Sequence, residues 1–153
     1  NVAMAHMATE KNPRWDYYET IAGGMGAHAD GYGLSAVQTH MTNTLNTPIE
    51  SLESHYPIRI TRYQIRDASG GEGLHCGGNG LIREFEFLQP TEVSLLTERR
   101  SQKPWGANKG EAAKSGENLL NGKPLPAKIS FHTESGDRLT IKTPGGGGWG
   151  ATT

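Results

Sequence analysis

Polar and apolar positions alternate with a period of two through much of the second half of the chain, and that spacing predicts β-strands. In "PIRITRYQIR" the apolar Ile58 and Ile60 alternate with Arg59 and Thr61. In "LIREFEFL" the side chains of Leu81, Phe85 and Phe87 share one face, opposite Glu84 and Glu86, and "EVSLLTER" offers Val93 and Leu95. "KISFHT" and "RLTIKT" are joined by "ESGD", which reads as a hairpin, and Asn121-Gly122 marks another tight turn. Ahead of Pro57 the alternation thins, and residues 12–56 are rich in Gly, Thr, Asn and His. One helix start stands out in "NTPIESLESHYP": Thr47 can cap, Pro48 takes the first helical position, and Glu50 completes a capping box. Ile49 and Leu52 supply a short apolar stripe, and Pro57 ends the helix. The expected fold class is α+β, predominantly β, with a short helix near 48–55. Antiparallel strands follow it, forming a sandwich or a partly open barrel. Two parts are expected, a glycine- and polar-rich segment over 1–56 and a β-rich domain over 57–153.

Composition narrows the class. A chain of 153 residues is about one domain long and can bury a modest core. Only 34% of its residues are hydrophobic, while 21 are Gly and 8 are Pro, which fits a loop-rich chain and not a helical bundle. Lys and Arg number 15 against 16 Asp and Glu, so the chain carries no electrostatic footprint for nucleic acid or an anionic membrane. The lone Cys76 excludes an internal disulfide framework and fits a reducing cytosol, so a cytoplasmic location is expected. No apolar run approaches the roughly 20 residues that span a bilayer. The stretch "NVAMAHMATEKNPRW" lacks the basic and apolar regions of a signal peptide, and its initial Asn leads to the expectation of a fragment, a processed chain or an incomplete one.

Three polar stretches are candidates for chemistry. "IAGGMGAHADGYG" offers unhindered glycine N–H groups that can cradle an anion, but no G-x-x-x-x-G-K-[ST] loop occurs and no clear helix follows. It is read as a structural loop, with ligand contact as the other reading. "SGGEGLHCGGNG" leads into a strand, so it is read as a wide hairpin loop with glycines at positive φ, not as a dinucleotide fingerprint. Its Cys76 would need a base beside it to act as a nucleophile, and adjacency of His75 in sequence does not supply one. "VQTHMTNTLNTPIE" concentrates uncharged Gln, Thr, Asn and His, as suits either a buried network or the wall of a site for a polar, amide-like substrate. His40 within it is a candidate base or ligand, or a structural histidine. Histidine and cysteine spacings give no complete metal site. The final "TPGGGGWG" is expected to be ordered, with Gly145–Gly148 running against the domain or a neighbouring subunit and allowing φ > 0, and with Trp149 buried.

The segments "YYETIAGGMGA", "GLSAVQTHMTNTLNTPIESLE", "YPIRITRYQIRDASGGEG", "GGNGLIREFEF", "SLLTERR", "KPWG", "NLLNGKPLP" and "IKTPGGGGWG" occur in that order. Together they resemble the carboxyl-terminal portion of the hydantoinase B/5-oxoprolinase family over residues 17–150. The resemblance implies that residues 1–56 belong to the catalytic body of a longer chain. It implies part of an ATP-dependent amidohydrolase that opens 5-oxoproline or a hydantoin ring, working with an A-type ATP-binding subunit. Part of an ATP-dependent ketone carboxylase and a non-catalytic β-rich subunit-binding module are the alternatives. ATP and Mg are then expected on the partner subunit, and a possible divalent metal in the amino-terminal remainder of the B-type chain. None is expected on this chain alone, which should be inactive by itself. Substrate-binding residues are expected at Glu19, Gly24, His40, Thr42 and Asn43, without an assigned catalytic residue. Cys76 stands where the family usually has an Arg before the paired glycines.

Overall fold

The computed structural model describes residues 1–39 and 42–152. Nine strands and one short helix follow one another as β1 (Val2–His6), β2 (Trp15–Glu19), α1 (Ile49–His55), β3 (Ile58–Arg66), β4 (Gly80–Phe87), β5 (Thr91–Leu96), β6 (Glu117–Leu120), β7 (Lys123–Leu125), β8 (Lys128–Thr133) and β9 (Arg138–Lys142). They form two antiparallel sheets, one ordered β2-β1-β5-β8 and the other β3-β4-β9-β6-β7. Neither sheet closes into a barrel. Strand alternation does the sorting: in β5, Thr91, Val93 and Leu95 are buried while Glu92, Ser94 and Leu96 are exposed. Val2, Met4, Val93 and Leu95 of the first sheet join Ile58, Phe85, Phe87, Leu139 and Ile141 of the second in one apolar core, with Leu52 of α1 added to it. No helix among the described residues is long and apolar enough to cross a membrane.

Four sequence expectations change in detail. The alternation does not predict β1 and β2, yet they join the β-rich part directly, since β1 pairs with β5 from Val2↔Leu95 to Ala5↔Glu92. The division at Pro57 is therefore not a break in the sheet. β8 and β9 do not form a hairpin, because β8 pairs with β5 and β9 pairs with β4 and β6. The "ESGD" turn instead crosses between sheets. Its Gly136 N–H donates to Phe87 O and Phe87 N–H donates to Asp137 O, which delivers β9 to the side of β4. The capping box is absent: Pro48 is itself the cap residue of α1, with no side-chain hydrogen bond, so Thr47 falls one position too early to cap. The Asn121-Gly122 turn joins β6 and β7 as expected, with φ of 48° and 79°.

The glycines build a second layer beyond the sandwich. The stretch after β9 threads between loops 23–36, 69–79 and 105–114. Gly146 N–H donates to Gly78 O, Gly71 N–H to Gly146 O, Ala27 N–H to Gly147 O and Ala107 N–H to Gly148 O. His75 and Trp149 exchange both backbone hydrogen bonds at 3.0 and 2.9 Å. The glycines are needed for closeness and not for handedness. A Cβ on Gly77 would lie 1.8 Å from Gly146 O, and one on Gly146 would lie 2.0 Å from Met25 O. Among the described residues only Gly122, Gly136 and Gly150 are glycines with left-handed φ, so the positive φ expected for Gly145–Gly148 and for the 69–80 loop does not occur. Trp149 is half-buried, not buried as expected. It lies at the rim of this layer with its ring stacked on His75 at 5.9 Å.

Candidate functional site

The polar stretch after the first glycine loop folds back onto the end of β2. Gln38 donates from Nε2 to Thr20 O (3.0 Å) and to Asn46 Oδ1 (3.1 Å), and its Oε1 accepts from Thr20 Oγ1 and from Thr44 N–H. Asn46 donates from Nδ2 to Glu19 Oε1 at 2.7 Å and to Thr20 O at 2.8 Å. These two amide side chains hold the strap Thr44–Thr47, whose own backbone makes no backbone–backbone hydrogen bond among the described residues.

Beneath the strap lies a buried charge pair. Side chains at 15, 17 and 19 of β2 alternate inward, so Glu19 follows Trp15 and Tyr17 into the interior. Arg83 has the same parity as Leu81 and Phe85 in β4 and is fully buried. Its Nη2 lies 3.1 Å from Glu19 Oε1. The guanidinium sits 4.5 Å from the centroid of Tyr63, its cross-strand partner in β3, and 5.4 Å from that of Phe85. Nε, Nη1 and Nη2 of Arg83, Oε2 of Glu19 and the Tyr17 hydroxyl all lack hydrogen-bond partners among the described residues. Buried polar atoms left in that state each cost about 1–3 kcal/mol, so a cluster of them marks a place where the fold accepts a cost. Burial raises the Glu19 carboxyl above its ordinary range, although the Arg83 charge and the Asn46 hydrogen bond pull it down. Burial likewise lifts the Tyr17 hydroxyl to about 12.

Two clefts flank the strap. One of about 550 Å³ is bordered by Gln38, Asn43, Asn46 and Tyr63. The other, about 230 Å³, is bordered by Tyr17, Glu19, Thr20 and Thr47. Of the expected site residues, Glu19 and Asn43 thus border different clefts. Thr42 is in a third cleft with Gly23 and Arg99, and its hydroxyl donates to Thr39 O at 2.8 Å. Gly24 belongs to the glycine layer, where its N–H donates to Pro144 O. His40 lies outside the described residues. The four described ones border different clefts or the glycine layer. Sequence reasoning missed Arg83, Gln38, Asn46 and Tyr63 as individual positions. The available signal for Arg83 was its inward parity, flanked by Leu81 and Phe85.

The other candidate loops are consumed by structure. The N–H groups of Gly23, Gly24, Met25 and Ala27 donate to backbone carbonyls, as do those of Gly145, Gly146 and Gly148, so most of the donors a phosphate cradle would use are already engaged. Cys76 is exposed, with Gly73 O 3.9 Å from its Sγ. The His75 ring is engaged elsewhere, stacked on Trp149 and hydrogen-bonded from Nδ1 to His28 O. Among the described residues no three His, Cys, Asp or Glu side chains gather as a metal site.

Comparison with known proteins places this architecture. 5-oxoprolinase 1 of Arabidopsis thaliana is 49% identical over 140 residues, an alignment covering 88% of this chain and 11% of that protein. The crystal structure of the ATP-dependent caprolactamase from Pseudomonas jessenii superposes with a TM-score of 0.80 at 22% identity, covering 98% of this chain and 28% of that one. A nucleotide-free acetone carboxylase structure superposes with a TM-score of 0.69 at 17% identity, covering 97% and 25%. The chain therefore spans only about a tenth to a quarter of the proteins it matches. The family model for hydantoinase B/oxoprolinase matches residues 1–152, and the chain belongs to that family.

Proposed function

We propose that this chain forms part of an ATP-dependent amidohydrolase that opens 5-oxoproline or a hydantoin ring. In this reading it acts with the amino-terminal remainder of a B-type chain and an A-type ATP-binding subunit in the cytoplasm. The observation that carries the proposal is the family match over residues 1–152. The chemistry is consistent with it. A lactam is resonance-stabilised and resists water, and phosphorylating its oxygen makes the carbonyl carbon a better electrophile. The N–H groups of Gly23, Gly24, Gly145, Gly146 and Gly148 already donate to backbone carbonyls, and this reading assigns ATP and Mg to the partner subunit. Nor does any gathered ligand set among the described residues fit a metal. This chain's own contribution is the polar strap with Glu19 and Asn46 bordering a cleft beneath it, and Arg83 buried behind Glu19.

The test is ATP turnover by the chain assembled with its A-type subunit, measured with 5-oxoproline, with hydantoin, and with a ketone plus bicarbonate. The proposal expects phosphate release stimulated by a cyclic amide. Stimulation by the ketone alone would move the chain to a carboxylase, the reading favoured by its likeness in fold to acetone carboxylase. Stimulation by none would leave a subunit-binding module.

A further inference from the structure

The atoms without partners beneath the strap form a specific pattern. Among the described residues Glu19 Oε2 accepts no hydrogen bond and Nε, Nη1 and Nη2 of Arg83 donate none, the Nη2–Oε1 contact being an ion pair without hydrogen-bond alignment. They belong to a pair whose oxygen and nitrogen lie 3.1 Å apart, with the two side chains 3% and 0% exposed. Glu19 borders the smaller cleft, and Tyr63, stacked on Arg83, borders the larger one. A carboxylate and a guanidinium together are neutral, so a bound anion would gain from Arg83 and lose to Glu19. A ketone offers an acceptor and no donor. A secondary amide held cis in a ring offers an N–H and a C=O on the same edge, which matches one unpartnered acceptor beside unpartnered donors. The protein already shows half of this recognition, because the Asn46 carboxamide donates its N–H to Glu19 Oε1 at 2.7 Å.

We propose that Glu19 and Arg83 recognise the uncharged N–H and C=O edge of a cyclic secondary amide, admitted when the strap Thr44–Thr47 moves. Glu19 accepts the ring N–H, Arg83 donates to the carbonyl oxygen, and Asn46 positions Glu19. The strap suits this role: Asn46 and Gln38 side chains tether it, and Leu45 at its crest is 95% exposed. The assignment rests on the amidohydrolase reading and makes it narrower, to substrates with a free ring N–H.

The experiment measures equilibrium binding of three probes to the chain by ligand-observed saturation-transfer NMR. The probes are 2-pyrrolidinone, N-methyl-2-pyrrolidinone and cyclopentanone. The N-methyl lactam and the ketone should bind at least tenfold more weakly than 2-pyrrolidinone. Because a single variant would strand a buried charge, the matched variant is Glu19→Gln/Arg83→Met. It should unfold as cooperatively as the parent while 2-pyrrolidinone affinity falls at least tenfold. Equal binding of the three probes, no binding of any, or full affinity in the double variant overturns the inference. The assay needs no ATP. Selective lactam binding without turnover by the assembled enzyme would therefore sink the amidohydrolase reading alone, and lactam turnover with unselective probe binding would sink this assignment alone.

Discussion

Placing one methyl group on Gly146 tests how tightly the glycine layer is built. A Cβ there would lie 2.0 Å from Met25 O, 2.1 Å from Met25 C and 2.5 Å from Gly26 N, all backbone atoms that no rotamer change can move. Ordinary contact begins near 3.4 Å, so the two segments must separate by more than 1 Å. That movement breaks or strains the Gly146 N–H to Gly78 O bond, the Gly71 N–H to Gly146 O bond and the Gly78 N–H to Met25 O bond, now 2.8–2.9 Å long. Overpacking costs about 1–3 kcal/mol. Two or three lost hydrogen bonds add about 0.5–1.5 kcal/mol each. Gly146→Ala should therefore cost about 3–5 kcal/mol, a large share of the stability of a small domain. Gly26 is the matched control, since its Cβ would find nothing closer than Gly147 O at 3.8 Å. Gly26→Ala should be neutral or stabilising by about 0.4–1 kcal/mol, through the unfolded chain. Urea unfolding at unchanged m-value separates the two, with the Gly146→Ala midpoint lower by about 2 M for an m-value of about 2 kcal/mol/M. If the two variants unfold within about 1 kcal/mol of each other, the close approach is not a constraint and the reasoning for the layer fails.

Truncation after Pro144 removes the carbonyl acceptors of Gly71, Ala27 and Ala107, so the shortened chain should lose its cooperative thermal transition; a parent-like melt would show the ribbon to be dispensable. Trp149→Ala should cost only about 1–2 kcal/mol by denaturant titration, because the ring is half-buried and keeps one stacking partner; a cost above about 3 kcal/mol would mean a fully enclosed indole. Burial raises the folded-state Glu19 carboxyl above its ordinary 4.5, so the folded chain holds that proton more tightly than the unfolded one. Stability carried by this group is thus present below 4.5 and lost as pH rises from there through the raised value. Glu84 and Glu117, held below 4.5 by hydrogen bonds from Thr61 and Lys142 respectively, act in the opposite sense, and they do so below that window. Comparing urea midpoints across pH, Glu19→Gln/Arg83→Met should remove the fall above 4.5, and an unchanged slope in the variant would contradict the assignment to Glu19.

Sequence alternation is a sound guide wherever one strand face meets the core and the other meets water. Val93 and Leu95 in β5, and Phe85 and Phe87 in β4, sit where the period of two places them. It fails at β1, because Ala3 and Ala5 on the outer positions of "VAMAH" blur the contrast with Val2 and Met4. It fails at β2 because that strand turns Trp15, Tyr17 and the charged Glu19 inward. Arg83 hides for the same reason: a charge at an apolar parity position has meaning only once its partner from β2, 64 residues away in sequence, is known. The destination of β9 is likewise unreadable, since the turn before it is stitched to Phe87 and not to β8. The uncharged Gln, Thr and Asn stretch reads as a buried network or a site wall, and the structure shows a half-buried network through Gln38 and Asn46 while Thr42, Asn43 and Thr44 are exposed. The glycine run is readable as close packing against backbone, but which backbone it meets depends on three loops that share no local pattern.

The most direct check on the proposed activity is an omission experiment on ring opening. 5-oxoproline is incubated with ATP and Mg, with the A-type subunit, and with the B-type chain either intact or lacking the region spanned by residues 1–152; glutamate and phosphate are both quantified. Glutamate should form together with phosphate only when this region is present. Glutamate formation at an undiminished rate without it, or no glutamate from the intact assembly, would contradict the proposed role.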